Sequence, residues 1–193
     1  PWSPELVERS LRSCGGTVAA TRIALQHGAA VYLAGGTHHA RADRGAGYCV
    51  YNDVAVGARI VQRESAHRRV LVVDTDVHQG DGTAAIFAGD ATVFTFSIHG
   101  DENFPAAKAQ SDLDVALPSG TGDAAYLAAL RAGMATAFAR ARPEFVFFLS
   151  GADPFAGDRL GKLAISKDGL RTRDRLVFDE LQQRRLPWVT VMG

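Results

Sequence analysis

The sequence predicts an α/β fold of three layers around a central, mainly parallel sheet, and three observations carry that expectation. Apolar runs of strand length recur along the chain, segments of helical spacing fall between them, and ionisable residues gather just after several of the runs. Alternation of this kind implies right-handed crossovers, and a parallel sheet keeps its chemistry at the carboxyl ends of its strands.

The elements follow in order. A helix is expected around Gly16 to Gln26, then a strand at Val31 to Ala34, a helix around Asn52 to Arg63 and a strand at Val70 to Val73. Thr92 to Ile98 reads as the next strand. Asp112 to Pro118 alternates polar and apolar residues, as a half-exposed strand ended by Pro118 and the turn Ser119-Gly120 would. The clearest helix is Asp123 to Arg142, with Tyr126, Leu127, Leu130, Met134, Ala137 and Phe138 recurring on one face. Phe145 to Ser150 and Trp188 to Met192 read as strands, with a helix over Lys167 to Arg185 whose arginines form a solvated face. No repeat, low-complexity tract or linker appears, so residues 1–193 read as one domain.

With 21 Lys plus Arg against 21 Asp plus Glu, no global field draws the protein to nucleic acid or an acidic membrane surface. Any substrate must be recognised locally. Cys14 and Cys49 lack the spacing of a zinc ribbon or disulfide framework, which suits a reducing cytoplasm, and both read as small buried side chains. No stretch has the apolar length of a signal peptide or membrane span. The chain lacks an initiator Met and stops on Met192-Gly193 directly after an apolar run, so it is expected to be incomplete at both termini.

Asp74-Thr-Asp76-Val-His78-Gln79-Gly80-Asp81 follows the run Val70 to Val73, and Asp153 follows Phe145 to Ser150. Carboxylates beside a buried strand are costly unless they pair with one another or with a cation. Asp76 and His78, alternate residues of an extended segment, point the same way, and Asp153 joins them at the same sheet edge. Two carboxylates and an imidazole fit Zn²⁺ with an open position for water; Fe²⁺, Co²⁺ and Mn²⁺ are alternatives. Asp74 lies on that side too and could orient a partner. His38 and His39, after Val31 to Ala34, are the remaining imidazoles aimed at that edge. Asp81 also reads as a helix N-cap over Thr83 and Ala84. Asp158 reads as a loop brace, His99 as a polar contact past a strand end, and His27 and His67 as surface residues. Tyr48 and Phe104 taken alone would be core aromatics. Gly35-Gly36 and Gly80-Asp81-Gly82 lack the lysine or spacing of a phosphate cradle.

Four ordered segments make the chain recognisable: Gly35-Gly36-Thr37-His38-His39-Ala40, Asp43 to Asp53, Asp74 to Thr83, and Gly151 to Gly161 continuing into Ile165-Ser166. Together they resemble the histone deacetylase family of zinc-dependent amidohydrolases, in details closest to its class IV branch. The resemblance implies an arginase/deacetylase-like fold and hydrolysis of an acyl-lysine or acylpolyamine at one zinc ion held by Asp76, His78 and Asp153. It implies His38 and His39 as the active-site pair, with Asp74 behind His38 and Asp81 behind His39. His39 would move the proton while His38 stabilises charge. It implies Gly47, Tyr48 and Phe104 as tunnel walls and Leu160 at the mouth. A structural K⁺ would be held by Asp74 and Ser97 and by backbone oxygens of Asp76, His78 and Ile98. The family's catalytic tyrosine would lie just beyond Gly193, which leaves a catalytically impaired zinc- or acyl-ligand-binding module as the alternative reading. A two-metal ureohydrolase on the same fold would want further bridging carboxylates, and His38-His39 with Gln79 favours the mononuclear deacetylase.

Overall fold

The computed structural model describes residues 3–193; Pro1 and Trp2, at the N-terminal end expected to be incomplete, lie outside the described residues. Six strands form one sheet: β1 (Ala29–Val31), β2 (Val70–Asp74), β3 (Val93–Gly100), β4 (Leu113–Leu117), β5 (Phe145–Leu149) and β6 (Trp188–Val191). Every pairing among them is parallel, in the order β1-β6-β5-β2-β3-β4. The helices are α1 (Pro4–His27), α2 (Asp53–Glu64), α3 (Asp81–Ile86), α4 (Asp123–Ala141) and α5 (Lys167–Arg184).

The period of two in the central strands divides the core between the sheet's faces. Leu71, Val73, Val146 and Phe148 meet Leu130, Met134 and Phe138 of α4 and Val177 and Leu181 of α5. Val70, Val72, Phe145 and Phe147 meet Ala20 and Ala24 of α1 and Val54, Ala58 and Val61 of α2. Because β2 and β5 are buried at every position, their ends are the natural place for groups that must be held rigidly out of bulk water. β4 alternates between covered and open residues, as expected of an edge strand.

Several boundaries differ from the sequence reading. Helix α1 begins at Pro4, not near Gly16, capped by Ser3 whose side chain accepts from the Leu6 amide. Strand β1 ends at Val31, although Tyr32 N–H still donates to Thr190 O (2.9 Å) and Met192 N–H to Ala34 O (3.2 Å). His99 lies within β3 rather than after it, fully covered. Helix α5 is not solvated at every arginine: Arg173 is 2% exposed.

Candidate active site

The sheet order explains why distant residues meet. β2 and β5 are neighbours, with Asp74 in register with Leu149, so the chain leaving β2 carries Asp76 and His78 past the loop that carries Asp153 after β5. Ligand atoms of Asp76, His78 and Asp153 lie within 4.8 Å of one another. His78 Nδ1 sits 3.0 Å from Asp76 Oδ1 and 3.0 Å from Asp153 Oδ2. Backbone amides fix the carboxylates: Val77 N–H donates to Asp153 Oδ1 (2.9 Å) and His78 N–H to Asp76 Oδ1 (2.8 Å). Two glycines let the chain approach this closely, since a Cβ on Gly151 would stand 2.8 Å from Asp76 Cα, and one on Gly80 would stand 2.3 Å from Asp74 Oδ2.

Both histidines of the pair are buried and each is backed by a carboxylate. His38 Nδ1 lies 2.6 Å from Asp74 Oδ2 and His39 Nδ1 2.7 Å from Asp81 Oδ1. Arg41 donates to the other oxygen of Asp81 (2.9 Å). The cap of α3 falls on Gly80 and no side chain caps it, so Asp81 serves His39 and not the helix end. Thr83 N–H donates to His38 O (3.0 Å), and a Cβ on Gly82 would meet the His39 carbonyl at 2.5 Å; α3 thus presses directly on the His pair.

The electrostatics of the cluster favour positive charge. Burial opposes a proton on His78, yet hydrogen bonds and charge from Asp153 and Asp76 outweigh it and push the imidazole up to about 9. His38 is likewise held up, at about 10, where burial is overcome by Asp74, Asp76 and Asp153. Burial and the Asp76 charge raise Asp153. A divalent ion at these three candidate ligands would supply that positive charge in place of a protonated His78, and two oxygens with one nitrogen and no thiolate suit zinc or a similar ion. The donor set therefore fits a metal.

The predicted wall residues surround the same space. A cavity of about 780 Å³ is lined by His38, His39, Gly47, Tyr48, Phe104 and Leu160, and by Gly193. Tyr48 is 95% and Leu160 66% exposed, so neither is a core residue. Phe104 stands edge-on to His39 at 4.9 Å between centroids. A Cβ on Gly47, whose φ is 51°, would collide with the His39 ring at 2.3 Å. Ser97 is in register with Asp74 on the adjoining strand, and its hydroxyl meets His99 Nδ1 at 3.0 Å. Burial, above all, pulls His99 down. A cavity of about 910 Å³ beyond Arg41 and Val50 contains none of the predicted site residues.

Sequence reasoning missed two braces. Asp53, fully buried, accepts from Gly36 N–H (3.0 Å), Thr37 N–H (2.8 Å) and the Thr17 hydroxyl (2.6 Å), clamping the loop that delivers His38. Its neighbour Asn52 caps α2 through Ala55 and donates to Ala40 O (3.1 Å). The signal was present in Asn52-Asp53 as a helix start, but a cap reads the same whether or not it also holds a loop. Gln79, by contrast, turns away from the candidate ligands: it donates to Ala109 O and Asp114 Oδ1, both at 2.8 Å. Asp158 braces its loop as expected, accepting from Leu160 N–H and Gly161 N–H.

Fold and donor set together define a parallel α/β protein with a candidate metal centre at the carboxyl edge of its sheet. The chain belongs to the family described as the histone deacetylase domain, whose model matches residues 1–193. It is 46% identical over 193 residues to an uncharacterized protein of Picosynechococcus sp., covering 100% of this chain and 64% of that protein. It is 33% identical over 181 residues to histone deacetylase 2 of Arabidopsis thaliana, covering 92% of this chain and 47% of the relative. The crystal structure of an acetylpolyamine aminohydrolase from Burkholderia pseudomallei superposes with a TM-score of 0.79 at 28% identity, covering 94% of this chain and 55% of that one. The chain thus spans about half to two thirds of the length of these relatives. No helix of the described residues is long and apolar enough to cross a membrane.

Proposed function

We propose that this chain carries the catalytic core of a metal-dependent amidohydrolase that removes an acetyl or longer acyl group from an amine, either an acyl-lysine or an acylpolyamine. One observation carries the reading: Asp76, His78 and Asp153 converge beside two histidines, each held at Nδ1 by its own carboxylate. Zinc is the ion we assign, with Fe²⁺ or Co²⁺ as substitutes. When bound, the ion supplies a Lewis acid for the acyl carbonyl and lowers the pKa of water. With Nδ1 tied to Asp81, His39 has Nε2 left to take a proton from water and return it to the departing amine. Asp74 orients His38, which stabilises charge beside it. Gly47, Tyr48 and Phe104 would flank the acyl-amine stem and Leu160 the entrance. Asp74, Ser97 and the backbone oxygens of Asp76, His78 and Ile98 would hold a K⁺ that offsets the buried carboxylates. Further, we place the chain nearest class IV and in the cytoplasm. A two-metal reading finds less support, because Asp74 and Asp81 are already engaged by His38 and His39.

The experiment is metal analysis of dialysed variants. Asp76→Ala, His78→Ala and Asp153→Ala should each lose stoichiometric zinc, while His38→Ala and His39→Ala keep it; in the full protein His39→Ala should lose turnover by ~10²–10⁴ with metal bound. Full zinc occupancy in Asp153→Ala would overturn the ligand set. Metal-replete full protein that is inactive on short and long acyl chains alike would favour a ligand-binding role.

A further inference from the structure

Arg173 lies in the middle of α5, in a stretch where nearly every neighbour is polar, and yet its side chain is buried beneath the loop that follows β5. Its guanidinium spreads over that loop as a fork. Nη1 donates to Gly151 O, Nη2 donates to the Ser150 hydroxyl at 2.8 Å, and Nε donates to Asp174 Oδ1 at 2.8 Å. The Ser150 hydroxyl in turn donates to Asp174 Oδ1 at 2.9 Å, closing a ring of charge-assisted bonds. Asp174 remains one-third exposed, so the buried cation is only partly neutralised by its own helix and depends on the loop for the rest of its partners.

The two residues gripped are the ones that set the course to Asp153. Ser150 N–H continues the ladder to Val191 O (2.9 Å), and Gly151 turns the chain against Asp76, where even a Cβ would be 3.0 Å from Asp76 Oδ2 and from Asp153 Oδ1. Gly193 stands against the same spot, its own Cβ position 3.4 Å from Gly151 Cα. Asp153 follows two residues later and is aimed at His78 by the Val77 amide. We propose that Arg173 is a positioning residue: from α5, its fork on Ser150 and Gly151 fixes the turn that presents Asp153 to the metal centre. This rests on Asp153 being a ligand, as assigned above. A lysine cannot reproduce it, because one ammonium lacks the planar pair of donors needed to reach a hydroxyl and a carbonyl at once.

Two readouts test the proposal in the full protein. In Arg173→Lys, which keeps charge and most of the volume, zinc affinity should fall ~10- to 100-fold, the range for losing a partner that orients a ligand. Exchange of the Val77 amide, measured by NMR in metal-free protein, should accelerate because its acceptor on Asp153 is no longer held. In Arg173→Ala, millimolar guanidinium should restore part of the zinc affinity while equal sodium chloride or urea does not. The proposal is overturned if Arg173→Lys binds zinc as tightly as the parent and protects Val77 equally. Asp153→Ala separates this from the parent reading. If Asp153→Ala keeps zinc, the ligand assignment fails, while faster Val77 exchange in Arg173→Lys would still show Arg173 orienting the loop. Loss of folding in Arg173→Ala leaves Arg173→Lys to decide.

Discussion

Desolvation at Cys49 shows how position, not residue type, sets reactivity in this site. Cys49, expected to be buried, is half-buried and lines the cavity with Sγ 3.3 Å from Gly47 O, and burial above all pushes the thiol up to about 11. A raised thiol keeps its proton until the solution pH approaches that value, so little thiolate exists near neutrality. Iodoacetamide should therefore label native Cys49 much more slowly than unfolded chain at pH 7.5, with a rate rising about tenfold per pH unit up to roughly 11. Equal rates in native and unfolded protein would contradict this, and mass spectrometry reads both. The candidate ligands were legible in sequence because Asp74 to His78 and Asp153 are short polar bursts directly after apolar strands, where an unpaired carboxylate is too costly to be idle. Arg173 was not legible. An arginine among Thr172, Asp174 and Arg175 looks solvated, and only its distant partners Ser150 and Gly151 reveal that it is buried.

Elements whose faces are built from large apolar residues announced themselves, and those built from small residues did not. Helix α4 presents Tyr126, Leu130, Met134 and Phe138, and its expected and observed spans nearly coincide. Helix α1 buries Thr17, Ala20, Thr21 and Ala24 and holds Gly15-Gly16 in its middle, so its first half carries no periodic signal and falls outside the expected helix. Its start is nonetheless written in Ser3-Pro4, a cap followed by proline. The six residues of α3 are too few for periodicity to show. These helices give opposite predictions for the same substitution. Gly15 is exposed with nothing within 4 Å of a new Cβ, so Gly15→Ala should raise stability by about 0.5–1 kcal/mol. Gly133 faces the sheet, where a Cβ would stand 2.5 Å from Cζ of the buried Phe96 ring. Overpacking of ~1–3 kcal/mol there exceeds the helix-propensity gain of about 1 kcal/mol, so Gly133→Ala should lower stability. Urea midpoints of the two variants moving in the same direction would refute the packing between α4 and β3.

For the molecule as a whole, the hydrophobic clusters on the two faces of the sheet contain none of the three candidate ligands. The candidate metal centre sits at the strand ends and touches the core through Val77 rather than forming it, unlike a zinc finger, in which the ion is the core. Removing metal should therefore leave the secondary structure intact, and far-UV circular dichroism before and after chelation should superimpose. What the ion adds is linkage: an ion bound only by the folded state stabilises it by ~4 kcal/mol when free metal is a thousandfold above its dissociation constant. For a chain of this size each kcal/mol moves the melting temperature by about 2–4 °C, so saturating zinc should raise it by roughly 8–16 °C. The rise should grow with the logarithm of free zinc and vanish in Asp153→Ala, which keeps both hydrophobic clusters and loses a candidate ligand. Scanning calorimetry across a zinc series distinguishes the outcomes. Collapse of the fold on chelation would mean that the strand ends need the ion to stay together, and the separation of core from metal centre drawn from the packing would be wrong.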